Sequence, residues 1–177
     1  MPRPPLLLAA LVLVLGGCQS EDAEPAAGPT PDAVEIRATL AALFAGDHPG
    51  TRETTEGDCF ARKLTEAVSP QELRSAGVLD DSYDVVTEPP PLPAAVAGEW
   101  ADAQLTCSDF VEASTRAQVK VTHGDLDSQA YATCLRARMA PTRIRAAVVS
   151  SLMGDFDDPA VADLSEAQTA CAQHAKR

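Results

Sequence analysis

The stretch EWADAQLTC, from Glu99 to Cys107, returns later in the chain as DLSEAQTAC, from Asp163 to Cys171. Both stretches read as an acid, a large apolar residue, a small residue, an acid, alanine and glutamine, and then, after two more residues, cysteine. The apolar residues in and around them recur at helical spacing. The pattern predicts two equivalent helices, each of which closes on a cysteine.

Two further pairs of matching stretches precede these helices in the same order. CFARKL at Cys59 matches CLRARM at Cys134, and SPQELRSA at Ser69 matches APTRIRAA at Ala140. Three matched anchors in one order indicate an internal duplication, with copies at about residues 58–112 and 127–175. Each copy is then expected to contain three helices and to open and close on a cysteine.

The remaining apolar pattern is helical as well. Thr30-Pro31-Asp32 is typical of a helix start, and Gly46 is typical of the end of that helix. Only AQVKVTH, residues 117–123, alternates like a strand, and without a partner strand we interpret it as helix or loop. The predicted fold class is all-α. We expect a compact bundle of about seven short helices, made of two disulfide-closed three-helix repeats with an N-terminal helix across them.

The first residues indicate export. Arg3 precedes a run of apolar residues, 6–15, that is shorter than the roughly 20 residues needed to span a bilayer. Leu15-Gly16-Gly17-Cys18 follows and resembles the lipobox of bacterial lipoproteins. The resemblance implies that residues 1–17 are removed and that Cys18 carries a diacylglyceryl group, whose two chains give a stable membrane anchor. An ordinary signal peptide with an incidental cysteine is the alternative.

The residues after the lipobox predict a lipidated tether and then a single domain. Residues 19–31 contain no apolar residue larger than alanine apart from prolines, so residues 18–31 are expected to form a flexible lipidated tether. Residues 32–177 are expected to form one all-α domain. The predicted location is the extracytoplasmic face of the cell membrane, held there by lipid.

The other four cysteines predict two disulfides. An even number of cysteines in an oxidising compartment implies bridges, and four cysteines allow three connectivities. The repeat favours Cys59–Cys107 and Cys134–Cys171, one bridge in each copy. A zinc site is the competing interpretation, but it requires close pairs such as Cys-x2-Cys, which this sequence lacks.

We find no constellation that predicts catalysis, a cofactor or a metal. His48, His123 and His174 have no metal-binding partner at helical spacing. GDFDDP, residues 154–159, lacks the pattern of a calcium loop and is better explained by Asp158 as a helix cap. The net charge of −12 disfavours nucleic acid and anionic lipid headgroups and favours a soluble monomer.

These observations predict a class of protein but no partner. From Asp58 to Cys171 the cysteine-led helices resemble those of small secreted actinobacterial proteins, which implies a fold and no reaction. We expect a non-catalytic lipoprotein of structural or protein-interaction type, with an unknown protein partner. The alternatives are a module that binds a small apolar ligand between the repeats and, third, an enzyme. Trp100 lies on an apolar stripe that favours the core, but it would line the ligand site in the first alternative.

Overall fold

The computed structural model describes residues 32–176. This part of the chain contains eight helices joined by turns and loops. The predicted all-α class is confirmed for this part. The lipobox, Cys18 and the tether lie outside the described residues. The helices are α1 (Ala33–Ala45), α2 (Thr51–Ala67), α3 (Pro70–Ser75), α4 (Ala94–Cys107), α5 (Phe110–Val121), α6 (Ser128–Arg138), α7 (Pro141–Leu152) and α8 (Pro159–His174).

The helix count of the described residues exceeds the predicted seven because the apolar stripe from Val96 to Phe110 divides into two helices. α4 ends at Cys107, and Ser108 takes an extended conformation with φ −137° and ψ 133°. The carboxylate of Asp109 then accepts a hydrogen bond of 2.9 Å from the backbone N–H of Glu112 and caps α5. Residues 117–121 belong to α5, which confirms that AQVKVTH is not a strand.

The first helix starts later than predicted. Asp32, rather than Thr30, is the N-cap, because its carboxylate accepts hydrogen bonds from the N–H groups of Val34 and Glu35 at 2.8 and 3.3 Å. α1 ends at Gly46, as the sequence predicts. α1 packs mainly against α2. From the sequence we expect this helix to lie across both repeats, and the structure differs in this respect.

Two disulfides close the two halves of the bundle. Cys59–Cys107 joins α2 to α4 across 48 residues, and Cys134–Cys171 joins α6 to α8 across 37 residues. This is the pairing that the matched stretches favour. Since each of the four sulfurs is bonded to one other sulfur, these cysteines are not free to bind zinc.

The buried apolar side chains form two clusters that α7 connects. The first cluster, which includes Phe60 and Trp100, is built mainly from α1, α2 and α4. The second, which includes Tyr131, is built mainly from α5 to α8. Val149 and Leu152 of α7 pack against both clusters, and residues from 31 onward form one compact unit. The core is therefore continuous across both halves.

A buried polar network lies inside the second cluster. The hydroxyl groups of Tyr131 and Ser114 are 2.8 Å apart, and Nε2 of Gln168 donates to the Ser114 oxygen at 3.0 Å. Burial raises the pKa of Tyr131, while the Ser114 hydrogen bond opposes that change. The network holds α5, α6 and α8 together, and it explains why these polar groups are tolerated in the core.

An ion pair joins α4 to α7 on the surface. Nε and Nη2 of Arg145 donate to the two carboxylate oxygens of Asp102 at 2.6 and 2.8 Å. The hydrogen bond from Arg145 holds the pKa of Asp102 below its ordinary value. This fork-to-fork geometry is the strong form of an exposed ion pair.

Asp102→Asn should lower the free energy of unfolding at pH 7 by about 0.2 to 1 kcal/mol, the range for an exposed pair. The folded-state pKa of Asp102 lies below its unfolded value of about 3.9, so the pair stabilises the fold fully above that pH. The contribution is lost as the pH falls through the folded-state pKa. Urea unfolding of both proteins across this range should show the difference shrinking in acid.

Asp81→Asn is the matched control, because Asp81 is exposed and has no ion pair or hydrogen bond with the described residues. It should leave the free energy of unfolding at pH 7 nearly unchanged. An Asp102→Asn difference that stays constant down to pH 2 would contradict the role given to the ion pair.

Candidate functional site

An apolar groove opens where α1, α4 and the end of α7 meet the proline-rich loop that precedes α4. Its volume is about 440 Å³. We call it the Trp100 groove. Its lining residues are Leu43, Pro89, Pro90, Pro91, Leu92, Trp100, Ser151, Leu152, Gly154 and Phe156.

The proline-rich loop forms one wall and is fixed to the end of α7. The backbone N–H of Leu92 donates to the carbonyl oxygen of Leu152 at 2.8 Å. Gly154 follows α7 with φ 74°, a conformation that favours glycine, and a Cβ there would lie 3.0 Å from Cγ of Pro91. A glycine at this position therefore both ends the helix and lets the loop approach.

Trp100 has the core position that the sequence favours, and it also lines the groove. It is 9 % exposed and meets the ring of Phe60 edge-on, with 4.9 Å between the ring centroids. Phe60 in turn stacks on Phe44 at 4.4 Å. The floor of the groove is thus continuous with the first core cluster, which makes it a rigid surface.

Phe156 is the residue that sequence reasoning missed. It lies at the rim of the groove and is 70 % exposed, although it is a large aromatic side chain. Met153, at the end of α7, is also exposed. The sequence does contain a signal for it, a single aromatic residue inside the acidic loop of residues 154–159. The helix cap of Asp158 explains one acid of that loop but not the aromatic residue.

The charged residues that stand next to the lining residues of the groove in the sequence are acidic. Glu88 precedes the proline wall, and Asp155 and Asp157 flank Phe156. The carboxylates of these three residues make no hydrogen bond or ion pair with the residues that the structure describes. Asp158 differs, since its carboxylate accepts a 2.7 Å hydrogen bond from the N–H of Ala160 and caps α8, as predicted.

A second cavity of about 730 Å³ lies between α5, α6 and the start of α2. Three arginines line it, but each already has a carboxylate partner, so the cavity offers no free cation to an anion. Nη1 of Arg116 is the one buried side-chain nitrogen or oxygen of the described residues without a hydrogen-bond partner, and it is shielded from solvent. The pairs are Arg52–Glu112 at 2.8 Å, Arg116–Glu56 at 3.1 Å and Arg136–Asp109 at 3.4 Å.

Within residues 32–176, no group of three or more histidine, cysteine or acidic side chains is placed to hold a metal ion. No helix of this part combines the length and apolarity needed to cross a membrane. The expectation that the protein has no catalytic residue, metal or cofactor stays a prediction.

Comparison of the chain with models of known protein families, with curated proteins and with solved structures gave no match.

Proposed function

We propose that the protein is a lipid-anchored extracytoplasmic binding module that docks an apolar segment of a partner protein in the Trp100 groove. The lipobox that ends at Cys18 supports the anchor. The two disulfides support an oxidising compartment, where such bridges persist. The proposed role is non-catalytic: the domain is held outside the membrane and presents a binding surface there.

The exposed ring of Phe156 beside an apolar groove carries the docking proposal. Contiguous apolar patches larger than roughly a few hundred Å² are rare on soluble monomers, and apolar clefts are the usual form of a binding site. Aromatic side chains next to well-packed pockets also dominate the energy of many interfaces. Phe156 and Trp100 both line the groove, and the exposed ring of Phe156 adds to the apolar surface that a partner would desolvate.

We also propose that the two disulfide-closed halves are repeats. Helices α2, α3 and α4 correspond in order to α6, α7 and α8, and each set contains one bridge. α3 and α7 both begin with proline and end before a glycine of positive φ, Gly77 at 75° and Gly154 at 74°. Both glycines lie within about 3 Å of the proline wall, measured from a Cβ built on each. On this proposal the groove lies where the repeats meet.

A small apolar ligand is the second candidate for the same groove. The volume of about 440 Å³ falls in the range of small-molecule sites, and the lining is almost wholly apolar. Such sites usually bury most of the ligand surface. Because Phe156 stands exposed at the rim, the open groove favours a segment of a partner over a free ligand.

The anchor is tested with Cys18→Ser. The wild-type protein expressed in a bacterial host should partition into the detergent phase of a Triton X-114 extraction, because two acyl chains give stable membrane association. The variant lacks the thiol that is alkylated, so it should partition into the aqueous phase. Equal partitioning of the two proteins would contradict the lipobox interpretation.

Docking is tested by carbene footprinting of the protein in intact cells and after purification. Phe156 should be labelled in the purified protein and protected in cells, because the partner covers it. Val121, which is 72 % exposed on α5 and does not line the groove, is the internal control and should be labelled equally in both. Equal labelling of Phe156 in both states would overturn the docking proposal.

A further inference from the structure

We infer that the segment docked in the Trp100 groove is cationic: a short apolar stretch flanked by lysine or arginine. The inference rests on the proposed docking function and adds the chemistry of the partner. Two separate features of the rim carry it, the exposed apolar ring of Phe156 and the unpaired carboxylates next to that ring.

Some carboxylates on the surface are paired with an arginine. Asp102 and Glu112, for example, lie within 3 Å of an arginine nitrogen. Glu88, Asp155 and Asp157 have no such partner among the described residues, and no basic residue lines the groove. The acidic residues that adjoin the groove in the sequence therefore have no ion-pair partner within the described part of the chain.

A positively charged segment should bind the groove most tightly. Charges beside an apolar wall are screened less than charges in open water, so each pair formed on docking counts for more. An acidic segment would face like charges, which suppresses a wrong partner. A second copy of this chain is disfavoured for the same reason, since it would bring the same three carboxylates and a net charge of −12.

The test uses the fluorescence of Trp100, the single tryptophan of the chain. The purified protein is titrated with three amidated peptides of equal length. Each has a short leucine stretch, flanked by lysine in the lysine–leucine peptide, by serine in the serine–leucine peptide and by glutamate in the glutamate–leucine peptide. The lysine–leucine peptide should shift the Trp100 emission at the lowest concentration. Its apparent Kd should rise with salt, because the added pairs are screened. The serine–leucine peptide should bind more weakly, and the glutamate–leucine peptide should bind least.

The contribution of the rim is isolated with a pair of charge-matched variants. The double variant Asp155→Asn, Asp157→Asn should raise the apparent Kd of the lysine–leucine peptide about tenfold, because two local charge pairs are lost. Asp125→Asn with Glu166→Gln changes the net charge equally at two exposed positions outside the groove. That control should change the Kd by less than about twofold, since distant exposed charges are screened.

Each contrary result overturns a different part of the account. If none of the peptides shifts the emission, the docking function fails and the inference fails with it. If the three peptides bind equally, or if both double variants weaken binding to the same extent, docking stands and the cationic partner is wrong. If the emission depends on protein concentration without peptide, the occupant is a second copy of the chain.

Discussion

Replacing both Cys134 and Cys171 with alanine should lower the free energy of unfolding by about 4 kcal/mol in the chain-entropy model of a closed loop. The bridge closes a span of 37 residues, and the side chain of Cys171 is fully buried in the second core cluster. The loss is a large part of the stability of a domain of this size. The measurement is urea unfolding followed by far-UV circular dichroism and by Trp100 fluorescence.

The Cys59–Cys107 bridge closes a span of 48 residues, so its double alanine variant should lose a similar amount. The free energy lost on reducing the wild-type protein should exceed either loss alone. Because α7 connects both core clusters, the two probes should report one coincident transition in every variant that folds. Losses below 1 kcal/mol, or two separated transitions, would contradict this description of the bundle.

Phe60→Ala should destabilise the fold by about 3 to 5 kcal/mol, the range for truncating a buried phenylalanine. The side chain of Phe60 is fully buried and lies between the rings of Phe44 and Trp100. Alanine would leave a cavity beneath the groove and remove both ring contacts. Urea unfolding measures the loss, and the native Trp100 emission should shift because its neighbour is gone.

Phe156→Ala is the matched control for this prediction. The same side chain is removed, but from a position that is 70 % exposed, so the free energy of unfolding should change by less than about 0.5 kcal/mol. The control also separates stability from binding, because Phe156→Ala should weaken docking without weakening the fold. A comparable loss of stability in both variants would contradict the assignment of Phe156 to the surface.

Much of this architecture is predictable because its determinants are local. The capping box of Ser69 and Glu72 and the Asp158 cap are short-range hydrogen-bond patterns, and the structure contains both. The disulfide pairing follows from matched stretches, which make two of the cysteines equivalent to the other two. These features need no knowledge of which helices pack together.

The missed features depend on backbone geometry or on distant residues. The break between α4 and α5 depends on two extended residues, Ser108 and Asp109, inside a continuous apolar stripe, and periodicity alone does not reveal it. The groove brings together Leu43, the proline loop and Phe156, which are far apart in sequence. Phe156 lies in the turn between α7 and α8, and its exposure is a property of the fold.

Photo-crosslinking from position 156 in the native envelope tests the central claim most directly. A photoreactive phenylalanine analogue replaces Phe156 with little change of shape, and the same analogue at the exposed Val121 serves as the control. We expect one discrete protein adduct from position 156, formed through a basic apolar segment of the partner. The adduct should be absent from position 121 and should be lost in the Cys18→Ser background. Identical adducts from both positions, or none from position 156, would contradict a lipid-anchored module that docks its partner in the Trp100 groove.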